Sequence, residues 1–314
     1  MLREFFEDMF FHPKWYHWVV AVVLLPISLA YGVLMLMRRI MVAKKEFDIP
    51  IVSVGNLIVG GSGKTPFVIE LANRYDDVAI ISRGYGRHSS GMHLVSLWGD
   101  VKCSVDVSGD EAMLMAVSSK ASVIVSEDRD KAIEYAKELG AKVVVLDDGF
   151  NKVHIAKYEV LLEPSSIKNY LPFPSGAFRE FYFVSSFADM VLKEDRDFKR
   201  VVEYENLTDR MMLTTAIANP SRLDKFLPDG VVERYYFDDH SYFDETKLKE
   251  QISQKNITSL LITQKDMVKM VDFKLRLSLM KLKLEIDNTK LQAIDAYVKE
   301  KQDEIQNRSG QNAT

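Results

Sequence analysis

A single cysteine, Cys103, stands among the 314 residues. No disulfide can form within the chain, which fits a reducing cytoplasm, and Cys103 itself reads as a small buried apolar residue. An excess of basic charge is also lacking: 41 Lys and Arg face 45 Asp and Glu, for a net charge of −4. A nucleic-acid binder usually shows a basic surface, so no nucleic-acid partner is expected. The chain has no Cys/His cluster of the kind a metal-delivery protein would use, and no internal repeat. The remainder, 47% hydrophobic and 27% charged, is a globular balance with enough apolar residues for a sizeable core in one large or two modest domains.

Formal charge is missing altogether from Trp18 to Met37, a run of 20 residues. A helix needs roughly 20 apolar residues to cross a bilayer, and membrane helices tolerate residues such as Pro26, Ser28 and Gly32. A secretory signal would have a shorter apolar core and a small-residue cleavage site, neither of which is evident. Arg38, Arg39, Lys44 and Lys45 follow directly, and positive flanks stay cytoplasmic. The expectation is a membrane-associated protein with the rest of its chain on the cytoplasmic side. The helix either spans the bilayer or lies in its plane with Pro26 bending it back. Upstream, Leu2, Phe5, Phe6, Met9 and Phe10 follow helical spacing, with Arg3, Glu4, Glu7 and Asp8 on the other face. Such a stretch can lie on a bilayer or form a hairpin packed on the soluble part. Trp15, Tyr16, His17 and Trp18 form an aromatic cluster suited to a membrane interface.

Ile51 to Val54 is a short apolar run. After Gly55-Asn56 comes Ile58-Val59-Gly60-Gly61-Ser62-Gly63-Lys64-Thr65-Pro66, then a helical pattern through Phe67, Ile69, Leu71 and Ala72. Strand, glycine loop, Lys-Thr and helix together are the context of a phosphate-binding loop. Loop amides and the helix N-terminus suit phosphate oxygens, Lys64 would reach the β/γ-phosphates, and the Thr65 hydroxyl would ligate Mg²⁺. Ile58 stands where the usual pattern has glycine, and the paired Gly60-Gly61 offer flexibility instead. A second apolar run, Lys142 to Leu146, ends in Asp147-Asp148-Gly149-Phe150. Carboxylates at the carboxyl edge of a parallel sheet sit where α/β folds bind ligands. Adjacent strand-end residues point different ways, so one aspartate can face a metal and the other an incoming hydroxyl.

Between these motifs the rhythm is βα: strands at Val78 to Ile81 and Ser122 to Val125, and helices opening at Gly109-Asp110-Glu111 and at Asp130. This implies a mainly parallel, doubly wound sheet. Arg83 and Arg87, in the segment SRGYGR, could clamp phosphate, and Tyr85 could stack or donate a hydrogen bond. Asp110 and Glu111 could serve the site or simply favour the helix dipole. Further strands are expected at Asp189 to Leu192, Met211 to Thr215, Val231 to Phe237, Ser259 to Thr263 and Ser278 to Ile286, then a helix from Thr289 to Gln306. The expected layout is membrane-associated helices over 1–45, a nucleotide-binding core over 46–165, a second α/β lobe over 166–306 and a flexible tail over 307–314.

Taken together, Ile58 to Thr65, SRGYGR, Gly109-Asp110-Glu111 and Asp147-Asp148-Gly149-Phe150 resemble the tetraacyldisaccharide 4'-kinase (lipid A 4'-kinase) family. So do Leu171 to Glu180 (LPFPSGAFRE), Ala218-Asn219-Pro220, Phe237-Asp238-Asp239-His240 and Thr263-Gln264-Lys265-Asp266. The likeness spans about residues 1 to 285, in the family's motif order. Three departures stand out: Asn151-Lys152 replaces the usual Gln-His, Ser241 follows His240 where a second histidine is common, and Gln264 replaces a glutamate.

The resemblance implies a P-loop α/β core with a smaller second α/β lobe. It also implies ATP-dependent phosphorylation of the 4'-hydroxyl of a tetraacylated glucosamine disaccharide 1-phosphate, giving lipid IVA. ATP and Mg²⁺ would be the cofactors. The partners would be the lipid-linked disaccharide and the bilayer, with no obligate protein partner evident. In that scheme Lys64 and the loop 58–65 hold the phosphates. Thr65 and either Asp148 or Asp110 hold the metal. Asp147 takes the hydroxyl proton with His240 supporting it. Arg83, Tyr85, Glu111 and Arg179 contact the substrate. The rival is a membrane-anchored P-loop GTPase or metal-delivery chaperone acting as a switch, but in Thr263-Gln264-Lys265-Asp266 the lysine comes one place late for a guanine reader.

Overall fold

The computed structural model describes residues 2–59, 63–217, 220–238 and 241–311. Helices α1 (Leu2–Phe11) and α2 (Trp15–Met41) open the chain. Then follow β1 (Ile51–Gly55), α3 (Lys64–Ala72), β2 (Val78–Ser82), β3 (His93–Leu97), β4 (Asp100–Val101), α4 (Val105–Ser108), α5 (Asp110–Ser118), β5 (Ser122–Val125), α6 (Arg129–Glu138), β6 (Val143–Asp147), β7 (Tyr158–Glu163) and β8 (Met190–Lys193). The remainder comprises β9 (Phe198–Glu205), β10 (Met211–Thr215), β11 (Val231–Tyr236), α7 (Glu245–Gln254), β12 (Ser259–Thr263), α8 (Gln264–Met267), β13 (Leu277–Ile286) and α9 (Asn288–Gln311).

The strands form two sheets. The larger has eight strands in the order β4-β3-β5-β2-β6-β1-β7-β8, and the smaller has five, β11-β10-β12-β13-β9. The larger is parallel from β5 through β8, with β3 and β4 antiparallel at one edge. Its central strands read as unbroken apolar runs because both faces are covered. Val52, Val54, Val143 and Val145 face one core, shared with Phe67 and Leu71 of α3, Met115 of α5, and Ile294 and Val298 of α9. Their neighbours Ile51, Val144 and Leu146 face the other, against Ala132, Ile133 and Ala136 of α6. The mixed α/β architecture with a second, smaller sheet is thus present as expected.

Two elements that the sequence places with the second lobe pack on the first sheet. Strand β8 pairs in parallel with β7, and α9 lays its apolar stripe on the large sheet, with Tyr297 Oη donating to the Ile51 carbonyl at 3.3 Å. An amphipathic pattern states which face of an element is buried, not which sheet buries it. Helix α9 also continues to Gln311, past Gln306, where the polar composition had placed the start of a tail.

Helix α2 is continuous through Pro26, so the chain does not bend back there. Its buried residues are His17, Ala21, Ser28 and Gly32, spaced along a single side. That side docks on the 171–183 segment. Ser28 Oγ donates to Ser175 Oγ at 2.7 Å, Ser175 Oγ donates to the Ala21 carbonyl at 2.7 Å, and the Ser175 amide donates to Ser28 Oγ at 2.9 Å. The opposite side exposes Val19, Val22, Val23, Ile27, Val33, Leu34, Met37 and Ile40. Helix α1 folds back as the other arm of a hairpin, with Met9 and Phe10 buried in the same cluster as Ala21 and Phe178.

Gly32 is where α2 comes closest to the lobe: a Cβ there would lie 2.6 Å from the Phe181 ring. Overpacking of this kind costs roughly 1–3 kcal/mol. Gly32→Leu is therefore expected to lower the thermal midpoint by several degrees and to expose the 171–183 segment to protease. Unchanged melting and proteolysis would show that α2 is not docked there.

Candidate active site

Strands β1 and β6 are parallel neighbours with Val54 opposite Asp147, so the chain leaving β1 emerges beside the paired aspartates. That chain runs along the 177–179 segment. Ile58 bridges Phe178, the Val59 amide donates to the Ala177 carbonyl at 2.9 Å, and the Arg179 amide donates to the Leu57 carbonyl at 2.7 Å. Ile58 is buried. Its side chain is a packing anchor in the place where the usual motif has glycine. Gly63 precedes α3 as its N-cap with φ of 81°, a left-handed conformation that glycine adopts without steric cost. Gly60, Gly61 and Ser62 lie outside the described residues, as does His240.

Lys64 begins α3. Its ammonium donates to Asp148 Oδ1 at 2.7 Å and to Asn56 Oδ1 at 3.0 Å. Arg179 reaches the same carboxylate, with Nη1 at 3.0 and 3.2 Å from its two oxygens. Asp148 has φ of 52°, a conformation uncommon outside glycine, and this turn separates it from its neighbour. Burial alone would raise the Asp148 pKa, but Lys64 and Arg179 outweigh it and hold the carboxyl below its ordinary range.

Asp147 is buried and accepts a hydrogen bond from Ser82 Oγ at 2.9 Å, at the end of β2. Its backbone carbonyl accepts from Arg129 Nη2 at 3.3 Å. Burial, followed by the Glu111 charge, outweighs the attraction of Lys64 and pushes the Asp147 carboxyl up to about 6. Thr65 sits half-buried in the first turn of α3 beside Lys64.

Asp110 and Glu111 occupy the first turn of α5. Asp110 pairs with Lys269 at 2.7 Å, both side chains almost fully buried, and Glu111 pairs with Lys265 at 3.3 Å. Lys265 lies in α8 and Lys269 just beyond its end, so the second lobe holds the acidic end of α5. Lys269 Nζ also donates to the Ser241 carbonyl at 3.2 Å, so one ammonium joins Asp110 to the residue that follows His240.

Arg83 and Tyr85 are exposed beyond the end of β2. Arg87 is engaged elsewhere: its guanidinium is buried against Glu127 and the Gly91 carbonyl. Asp266 is likewise occupied, accepting from Thr215 Oγ1 at 2.7 Å and the Ala216 amide at 3.0 Å inside a capping box with Thr263. A carboxylate committed in this way is not a guanine reader. Sequence reasoning gave no role to Asn56, Ser82, Arg129 or Lys269, although Ser82 opens the SRGYGR segment and Asn56 adjoins the glycine loop.

Magnesium bound with a nucleotide usually takes only one or two protein oxygens beside phosphates and waters. Among the described residues no group of three or more His, Cys, Asp and Glu forms a metal cage by itself. The Thr65 hydroxyl and the ionised Asp148 suit the smaller requirement, and the Asp110 carboxylate supplies the same kind of oxygen.

A parallel sheet whose neighbouring strands bring Lys64 and the Asp147-Asp148 pair to one carboxyl edge, beside a second lobe, defines a P-loop-type nucleotide-binding protein. The family profile described as Tetraacyldisaccharide-1-P 4'-kinase matches residues 20–299. A tetraacyldisaccharide 4'-kinase from Helicobacter acinonychis is 47% identical over 299 residues, covering 94% of this chain and 95% of the relative. Those of Aliarcobacter butzleri and Campylobacter jejuni are 44% and 40% identical, each over more than nine-tenths of both chains. Among solved structures, the "apo" form of LpxK from Aquifex aeolicus in complex with ATP superposes with a TM-score of 0.75 at 27% identity, covering 89% of this chain and 99% of that one. The chain belongs to the tetraacyldisaccharide-1-P 4'-kinase family.

The raised Asp147 pKa carries a stability consequence. Between its ordinary 3.8 and about 6, the unfolded chain releases a proton that the folded chain retains. Stability therefore falls as pH rises through this window and stays lowered above it. Asp147→Asn is expected to raise the melting temperature at pH 7.5 and to leave it nearly unchanged at pH 3.5. Equal destabilisation at both pH values would show that the carboxylate is not strained by burial.

Proposed function

We infer that this protein transfers the γ-phosphoryl group of ATP to the 4'-hydroxyl of a tetraacylated glucosamine disaccharide 1-phosphate. The observation that carries the reading is the convergence of Lys64, Asp148 and Arg179 beside Asp147 at one sheet edge, in a chain of this family. Phosphoryl transfer is mainly positioning and charge stabilisation. Lys64, Gly63 and the rest of the 58–65 loop hold the phosphates, and Arg179 adds a second cation from the 171–180 segment. Thr65 with Asp148 or Asp110 would hold Mg²⁺, which supplies charge neutralisation between the phosphates. Arg83, Tyr85 and Glu111 face the acceptor.

Asp147 takes the proton of the 4'-hydroxyl, with His240 in support. A carboxylate raised by burial is a stronger base than an exposed one and remains ionised at neutral pH. One observation favours Asp110 for the same role: Lys269 binds both its carboxylate and the carbonyl of Ser241, the neighbour of His240.

The acceptor is a lipid, and the chain offers a surface for reaching it. α2 has a mean hydropathy of 2.5 over its apolar window, of which 17% is buried. Because its inner side is docked on the catalytic lobe along its length, α2 rests in the plane of the cytoplasmic face of the inner membrane with its outer side in lipid.

The deciding assay follows labelled phosphate from ATP into a tetraacylated disaccharide 1-phosphate in mixed micelles, with a control lacking the acceptor. Acceptor-dependent transfer is expected, and Lys64→Ala should lower it by at least about 10²-fold. Nucleotide hydrolysis indifferent to the acceptor would favour a switch protein instead. The kcat/KM profile should show an acid limb with its midpoint near 6, matching the Asp147 carboxyl. Asp147→Asn should cost roughly 10²–10⁴-fold in kcat, the range for a general base. If Asp147→Asn keeps near-normal kcat while Asp110→Asn loses it, the proton goes to Asp110.

A further inference from the structure

The guanidinium of Arg39, in the last turn of α2, is buried beneath the site. It forms a two-point ion pair with Glu180, Nη2 to Oε1 at 2.7 Å and Nε to Oε2 at 2.9 Å. Both side chains are almost fully enclosed, 6% and 9% exposed. Nη2 also donates to the Phe150 carbonyl at 3.1 Å, and the guanidinium carbon lies 4.0 Å from the Phe150 ring centre.

The identity of these partners matters. Glu180 directly follows Arg179, and Phe150 lies two residues beyond Asp148. The backbone segments that present the Arg179–Asp148 pair are therefore joined a second time, from below, by one side chain belonging to α2. Arg38 adds a bond in the same place, from Nη2 to the Asn151 carbonyl at 3.2 Å. A planar fork that satisfies a carboxylate and a carbonyl at once is a task for arginine, which lysine cannot duplicate.

We propose that Arg39 is a positioning residue that holds Arg179 and Asp148 in register for the phosphates and makes that register depend on the docking of α2. The proposal rests on the reading of Lys64, Asp148 and Arg179 as the phosphate-binding groups. Arg39 touches no reacting atom. It acts through Glu180 and Phe150.

The test compares Arg39→Lys, which keeps the charge but loses the fork, with the double variant Arg39→Met/Glu180→Met. The double variant removes both buried charges together, a replacement that folded proteins often tolerate. Each is assayed in full-length form for melting temperature, flotation with phosphatidylethanolamine/phosphatidylglycerol vesicles, and steady-state constants for both substrates. The expected result is unchanged flotation, a KM for ATP raised at least fivefold, a kcat lowered at least tenfold and an acceptor KM within twofold of normal, with Arg39→Lys the milder of the two. A purely structural role would lower kcat through loss of folded enzyme and leave both KM values alone, and that outcome overturns the proposal. Should the double variant fail to fold, Arg39→Lys alone decides by the same split. Lys64→Ala run in parallel separates the two readings. If it is as active as the parent, the assignment of the phosphate site fails. If it is inactive while both Arg39 forms keep a normal KM for ATP, only the positioning role fails.

Discussion

Two cations meeting on one carboxylate hold this site together. Lys64 arrives from the start of α3 and Arg179 from a segment 115 residues further on, and both close on Asp148. Their meeting depends on backbone: the parallel register of β1 with β6, and the pairing of the chain at 57–59 with that at 177–179. If either slipped by one residue, the lysine or the arginine would point elsewhere. Two positive groups around one carboxylate leave net positive charge at a strand edge, where phosphate oxygens are best received. The neighbouring Asp147 is shielded from solvent and linked to Ser82, so adjacent residues of one sequence motif have opposite electrostatics.

The same segment that carries Arg179 carries the docking surface for α2. Ser175 is clasped by Ser28 and Ala21, Phe181 lies against Gly32, and Glu180 takes Arg39. A helix immersed in lipid on all sides would have no use for a hydroxyl pair and a buried arginine along one side. The composition of α2 thus records two environments, polar and small residues facing the lobe and branched apolar residues facing outward. The catalytic lobe sits against the helix, which is the arrangement a kinase acting on a lipid headgroup requires.

Much of this was legible in the sequence wherever the determinants are contiguous. The apolar runs of β1 and β6 with their glycine loop and aspartates, and the two-sided burial of the large sheet, follow from local pattern. The 20 uncharged residues flagged α2 as apolar, yet their length says nothing of what packs against one side of the helix. That depended on Ser175, nearly 150 positions away. Lys269 and Arg129 were invisible for the same reason: a lone cation carries no mark of the carboxylate or carbonyl it will meet. Arg87 and Asp266 show the reverse case, since both belong to motifs yet serve local architecture, Arg87 against Glu127 and Asp266 as a cap. Strand β8 and helix α9 had the right periodicity and no signal for which sheet would receive them.

The contact between lobes adds a constraint that neither lobe shows alone. Asp110 and Glu111 stand at a helix N-terminus, where the dipole favours negative charge, but Asp110 is too deeply buried to be left with that alone. Lys269 completes it from the far lobe and is itself buried, so parting the lobes would strand two charges in a poorly solvated cleft. Breaking a buried pair of this kind is strongly unfavourable unless water or another ion replaces the lost partner. The junction has an apolar part as well: Phe198, Leu284 and Val268 of the second lobe share one buried core with Phe67 and Met113 of the first, so charge and packing hold the lobes together.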